Sequence, residues 1–159
     1  VQLFDPETAW SIGELHVQPF TVPHDAAEPA QFTLSDGVHR FGIMTDCGMA
    51  TPHLIARLSG CDALVLESNH DADLLSRSDY PLTLKRRIAG DYGHLSNDAA
   101  HDILSALDRD SLRYLVAAHL SQNTNHPERV RQSWMQTLQR YSGSFCFADQ
   151  ATGLAWQTL

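Results

Sequence analysis

Four polar side chains close apolar stretches of this sequence or stand in the loops that follow them: His24, Asp46, His94 and His119. Ile43-Met44-Thr45 runs into Asp46, and Leu115-Val116-Ala117-Ala118 runs into His119. α/β proteins build their sites in loops just beyond strand ends, so side chains at such places can converge. A carboxylate and imidazoles meeting there suit Zn²⁺ or Mn²⁺. A bridging carboxylate can hold two such ions close together, one polarising a phosphoryl oxygen while both activate a water. His94 is placed differently, because Gly93-His94-Leu95-Ser96-Asn97 leads directly into a helical pattern. The unpaired N–H groups of a helix start form an anion site that Ser96 or Asn97 can cap. A histidine beside it can donate a proton to the leaving group of a phosphate. Upstream, Lys85, Arg86 and Arg87 can steer or grip a polyanion.

Taken singly, each of these residues also has a plain structural role open to it. His24 fits a loop or cap, Asp46 before Cys-Gly fits a turn, and His119 fits a satisfied core histidine. His94 fits a glycine-opened loop, and Lys85–Arg87 a solvated helix face. The remaining histidines, His16, His39, His53, His101 and His126, read as structural or surface residues.

The elements that must position the four residues alternate between strand and helix. Glu14–Val22, Gln31–Leu34 and Arg40–Thr45 read as strands, the last two joined by the turn Ser35-Asp36-Gly37. Thr51-Pro52 opens a short helix with a hydroxyl cap and proline at its first position. Asp62–Leu66 and Leu112–Ala118 are apolar runs of the kind buried on both faces. Between them, Asp71–Gly90 holds one or two short helices interrupted at Tyr80-Pro81, and Asn97–Leu107 carries Ala100, Ile103, Leu104 and Leu107 on one helical face. Pro127–Tyr141 reads as a single helix with Val130, Trp134, Leu138 and Tyr141 in a stripe. Two final strands are expected, Ser144–Phe147 and Leu154–Thr158, turning near Gly153. This order predicts one α/β layered domain over residues 1–159.

Composition narrows the function classes. The 159 residues are 43% hydrophobic, enough for a real core, and no apolar run approaches the ~18 residues of a membrane span. No signal-peptide pattern opens the chain; it begins at Val1 rather than Met, and Val1–Pro6 reads as the interior of a longer, processed or cut chain. Cys47, Cys61 and Cys146, an odd and widely spaced set, suggest reduced thiols and hence a cytoplasmic protein. A net charge of −8 argues against a protein that coats nucleic acid through bulk positive charge. It leaves room for a nuclease whose metals and a local basic patch hold the phosphates.

Several segments occur in a telling order: Val22-Pro23-His24-Asp25-Ala26-Ala27-Glu28-Pro29, Thr45-Asp46-Cys47-Gly48, Leu66-Glu67-Ser68-Asn69-His70-Asp71, Gly93-His94-Leu95-Ser96-Asn97-Asp98-Ala99-Ala100, Ala118-His119-Leu120-Ser121 and Asn125-His126-Pro127-Glu128. Together they resemble the YycJ (WalJ) branch of the metallo-β-lactamase superfamily, related to RNase Z-type nucleases, from about Val17 onward. The resemblance implies the C-terminal part of a four-layer αββα sandwich with a two-metal site along one sheet edge. It implies His24 as ligand of the first metal, Asp46 as bridging carboxylate, His119 as the last histidine on the second metal, and His94 as the loop histidine that assists catalysis. Asn69 and His70 match a segment characteristic of this branch and are placed near substrate, with Ser96, Asn97, Lys85 and Arg86. The superfamily motif His-x-His-x-Asp-His does not occur in these residues and is expected to lie N-terminal to them.

The function so implied is metal-dependent hydrolysis of phosphodiesters, with DNA as the substrate, two divalent ions (Zn or Mn) as cofactors, and little activity from this chain alone. An apolar face left where the other half of the sandwich would pack makes self-association, as a homo-oligomer, part of the expectation. Two other readings stay open: a hydrolase of small esters, lactones or cyclic nucleotides, which the acidic charge favours, and a non-catalytic interaction module.

Overall fold

Period-two alternation and two tight turns set the first half of the sheet. In this computed structural model, which describes residues 3–159, β1 (Trp10–Ile12), β2 (Leu15–Thr21), β3 (Ala30–Ser35) and β4 (Arg40–Met44) form an antiparallel meander. The β3–β4 turn is shaped by Asp36, whose Oδ1 accepts the amides of Val38 (2.9 Å) and His39 (2.7 Å). Chain direction then stays constant. After α1 (Pro52–Leu58), β5 (Ala63–Glu67) lies parallel to β4; after α2 (Ala72–Arg77), α3 (Leu82–Ile88) and α4 (Asn97–Ala106), β6 (Tyr114–Ala118) lies parallel to β5. The helices α5 (Pro127–Ser133) and α6 (Met135–Leu138) lead to β7 (Ser144–Phe147), parallel to β6. The result is one seven-stranded sheet in which strand order follows chain order.

Registers stack the core. Met44 pairs with Leu66 and Leu66 with Ala117, while Leu64 pairs with Leu115. These side chains share one face, with Phe20 beside them, and bury against Leu54 and Leu58 of α1, Ile103 and Leu104 of α4, Val130 of α5, and Trp134. Truncating a central member such as Leu66 to alanine costs ~2–5 kcal/mol by transfer and cavity terms. The other face carries Phe32, Ile43, Val65 and Val116 in cross-strand register, and none of them joins the helix-covered cluster. At its β1 end, Phe4, Trp10 and Phe32 stack with ring centroids 4.9–6.3 Å apart.

Three expectations need correction. The sequence reading has no strand at Trp10–Ile12, which forms because Gly13, at φ 60, turns the chain back onto β2. The expected continuous helix Pro127–Tyr141 divides at Trp134 (φ −86, ψ 2). Hydrogen bonds from Trp134 N to Val130 O and from Leu138 N to Trp134 O nonetheless carry the ladder across the division, so the apolar stripe keeps its direction. Leu154–Thr158 forms no strand. The Asp149–Gly153 turn is held by its own bonds, with Asp149 Oδ1 accepting from Ala151 N, Thr152 N and Thr152 Oγ1, and the residues after it are exposed without a ladder partner. No helix among the described residues is long and apolar enough to cross a membrane.

Candidate metal centre

The parallel strands deliver their C-terminal ends to one edge, and there the chain turns sharply. Asp46, just past β4, and His119, just past β6, have φ of 53° and 57°. They are the described non-glycine residues in the left-handed region, which costs an L-residue ~1–2 kcal/mol. Strain of this kind persists where surrounding contacts hold it, and it collects at functional sites. Asn69 supplies one such contact, its Nδ2 donating to the His119 carbonyl at 3.0 Å. Gly48 supplies another by having no side chain. A Cβ there would meet Asp91 O at 2.2 Å, so glycine lets the Asp46 loop close onto the Asp91–Gly93 backbone.

Beneath this edge lies a carboxylate that the sequence reading passed over. Glu67 ends β5 fully buried. Its Oε1 accepts from Nδ1 of His94 at 2.8 Å and Nδ1 of His119 at 2.7 Å, and its Oε2 accepts the amides of Cys47 at 3.0 Å and Leu95 at 3.3 Å. Burial pushes this carboxyl up, but the bonds from His119, His94 and the Cys47 amide outweigh it and hold the group below its ordinary value. The bond to Glu67 in turn raises His119, against the opposing pull of burial. A signal for Glu67 was present: Ala63–Leu66 is an apolar run closing on an acid, the same pattern that marks Asp46. The strand expected there, Asp62–Leu66, stops one residue short of it.

An ionised carboxylate only accepts, so His94 and His119 both carry their proton on Nδ1. His24 does likewise, because its Nδ1 lies 3.0 Å from the Gly93 carbonyl, which also only accepts. All three rings therefore commit Nδ1 to a fixed acceptor and keep Nε2 for another partner, the arrangement found behind metal-binding histidines. Asp46 stands among them, its Oδ1 3.8 Å from His24 Nε2, 3.7 Å from His94 Nδ1 and 3.8 Å from His119 Nδ1. The His24–Asp46 spacing is too long for a hydrogen bond and close to the ~3.4 Å separating two ligands of one tetrahedral ion. Ligand atoms of Asp46, Glu67, His94 and His119 all lie within 4.8 Å of one another. The donor set, imidazole and carboxylate, fits a borderline divalent ion. Cys47 is no part of it. Burial pushes its thiol up to about 12, and the Sγ donates to Met49 O.

The remaining residues singled out from sequence fall in three places. His70 is buried, and its Nδ1 has no hydrogen-bond partner among the described residues. Ser96 caps α4, its Oγ accepting from Ala99 N at 3.1 Å. Asn97 is buried in a closed amide network, bonded to Ser68 Oγ at 2.7 Å and to the Asn125 side chain at 2.9 and 3.0 Å. Lys85 and Arg86 lie on α3, where Lys85 Nζ donates to Ser76 O at 2.7 Å and Arg86 is exposed. The end of α3 abuts the His94 loop through the bond from His94 N to Ile88 O. Arg87 there pairs with Asp25, the neighbour of His24, and holds that carboxyl below its ordinary value.

Comparison with known proteins shows the family and the fold. The sequence profile described as the β-lactamase superfamily domain matches residues 1–120. The chain is 34% identical over 129 residues to the exodeoxyribonuclease YycJ of Bacillus anthracis, covering 81% of this chain and 49% of that one. It is 26% identical over 136 residues to the exodeoxyribonuclease WalJ of Streptococcus pneumoniae, covering 86% and 51%. The chain thus spans about half the length of these relatives. Among solved structures, the metallo-β-lactamase fold protein YhfI of Bacillus subtilis superposes with a TM-score of 0.70 at 19% identity, over 96% of this chain and 52% of that one. Zn²⁺-bound PqqB of Methylobacterium extorquens superposes with a TM-score of 0.61 at 18% identity, over 98% and 55%.

Proposed function

The chain belongs to the β-lactamase superfamily domain family, and from that premise we propose that it carries the C-terminal ligands of a metal-dependent phosphodiesterase acting on DNA. The observation that supports this reading is the set of three Nδ1-anchored histidines around Asp46, two of them on the buried Glu67. His24, Asp46 and His119 would hold the metal, with Asp46 between two ions of Zn or Mn. When bound, such ions supply Lewis acidity at a phosphoryl oxygen and ionise water at neutral pH. Glu67 orients two rings and carries their counter-charge. His94, held by Glu67 through Nδ1–H, would act as general acid in its doubly protonated form, giving the Nε2 proton to the leaving oxygen and returning to the neutral ring. Ser96, Asn69, His70 and Asn97 shape the loops around the substrate, and Lys85 and Arg86 on α3 attract its phosphates. DNA as substrate follows the names of the two exodeoxyribonuclease relatives, which are about twice as long.

Three ligands are few for two ions, so the 159 residues by themselves should turn over little substrate. The apolar sheet face outside the helix-covered core should make the isolated chain self-associate. A second reading, hydrolysis of small esters, lactones or cyclic nucleotides, is favoured by the net charge of −8. Salt separates the two, because a polyanion displaces many counterions on binding and a small ligand few.

Elemental analysis of the purified chain beside His119→Ala, after equilibration with Zn²⁺ or Mn²⁺, tests the centre directly. Bound metal that falls at least tenfold in affinity in the variant supports it. Equal metal in both, or none in either, removes the metal reading.

A further inference from the structure

Beside the centre lies a cleft of about 380 Å³, within the ~300–1,000 Å³ of small-ligand sites. His94 and His119 line it, with Tyr80, Ile88, Leu120, Gln122, Asn123 and Gln150 among the other residues. Among the described residues, no Lys, Arg, Asp or Glu lines it. A phosphate seeks cations or converging N–H donors, and this lining has neither a guanidinium nor an ammonium group. It offers instead side-chain amides, each a donor and an acceptor, together with a phenol ring and two aliphatic surfaces. That combination matches a flat heterocycle with donors and acceptors along its edge.

The walls are held in place before any ligand arrives. Asn123 Nδ2 donates to Tyr80 Oη at 2.8 Å, joining the Tyr80 segment to the loop after β6. In that loop, Ser121 Oγ accepts from Thr124 N at 3.2 Å and Thr124 Oγ1 at 2.9 Å, and Ser121 N donates to Asn69 O at 2.8 Å.

We infer that this cleft receives an unpaired nucleobase, the one attached to the nucleotide whose phosphate lies at the centre. The inference rests on the phosphodiesterase reading above and adds to it which part of the substrate is read by the protein. A base must leave its stack to enter the cleft, so the preferred substrate is a single-stranded or frayed end. Because the amides of Gln122, Asn123 and Gln150 can present either donor or acceptor, the cleft takes any base with modest preference.

The test titrates the metal-free chain with thymidine, deoxyadenosine, 2-deoxyribose 5-phosphate and inorganic phosphate, following backbone and Asn/Gln side-chain amide shifts by NMR. The expected result is that both nucleosides shift Tyr80, Gln122 and Asn123, that the two base-free compounds leave these residues unmoved, and that Gln122→Ala with Asn123→Ala weakens nucleoside binding about tenfold. Gln122 and Asn123 are exposed loop residues, and an unchanged thermal melt confirms that the double variant is folded. Shifts at the same residues from the base-free compounds overturn the inference, as does the absence of any nucleoside shift there. No metal is present, so failure here leaves the metal analysis standing. Conversely, nucleoside binding by a chain that takes up no metal would remove the phosphodiesterase reading and leave a base-binding cleft.

Discussion

Two carboxylates flank the same strand, and they have opposite surroundings. Asp62 precedes β5; its Oδ2 accepts the Arg40 amide at 2.8 Å and its Oδ1 lies 3.3 Å from the Arg113 guanidinium. Glu67 ends β5 and is bound by two imidazoles and two amides. Asp62 faces a permanent charge that has nothing further to give, so it clamps β4 to β6 across β5 and no more. Glu67 faces rings that each retain a second nitrogen, so the order it imposes is passed outward to whatever those nitrogens meet. The backbone differs too: the left-handed residues Asp46 and His119 both stand at the Glu67 end. Acidity and burial therefore do not distinguish a site from a clamp; the unused valence of the partners does.

The largest expected effect comes from Glu67→Ala. It strands two histidines and two amides above a cavity, and stability should fall by ~3–5 kcal/mol, as when a buried charged pair loses one member. Metal affinity should drop in parallel, read by denaturant melts and elemental analysis. Glu67→Gln, which keeps the shape and an acceptor, should recover part of the stability. Asp62→Ala should cost about 2 kcal/mol from its charged hydrogen bonds and leave metal binding unchanged; a loss of metal there would erase the contrast between the two ends. Asp46→Asn should do the reverse. Asparagine tolerates the left-handed conformation, so stability should move by no more than ~0.5 kcal/mol while metal affinity falls at least tenfold.

The smallest effect belongs to Asp36, in the exposed β3–β4 turn. Its amide bonds from His39 and Val38 hold the carboxyl down from 3.8 to about 2. A lowered folded value stabilises the fold above the unfolded value and is lost as pH falls through the folded one. Asp36→Ala should therefore lower the melting temperature slightly at neutral pH, and the difference should vanish as pH falls from about 3.8 to about 2.

Much of this arrangement was readable from residue types. Apolar runs that close on Asp46 and His119 marked strand ends, and the Thr51-Pro52 start marked α1, where Thr51 Oγ1 indeed accepts from Leu54 N. What remained hidden was nonlocal. Glu67 looks like any strand terminus until His94 and His119, distant in sequence, are brought onto one of its oxygens. Trp134 divides its helix where its indole N–H donates to Asn97 O at 3.1 Å, a bond no periodicity can reveal. Residues 154–159 carry strand-forming side chains but lie beyond the last strand, with no neighbouring ladder to join.

The sequential order of the strands, β1 through β7 without a skipped neighbour, also has a kinetic side. The meander β1–β4 closes through short turns, whereas the parallel β5–β6 ladder pairs Ala63 with Tyr114 across three helices, so that closure carries the larger loop entropy. Asp46, Glu67 and His119 ride on three consecutive strands, and His94 on the connection between two of them. Their assembly requires only β4, β5 and β6 to meet. In refolding from denaturant, the environment of these histidines should thus form with the β5–β6 ladder, after the local hairpins of β1–β4.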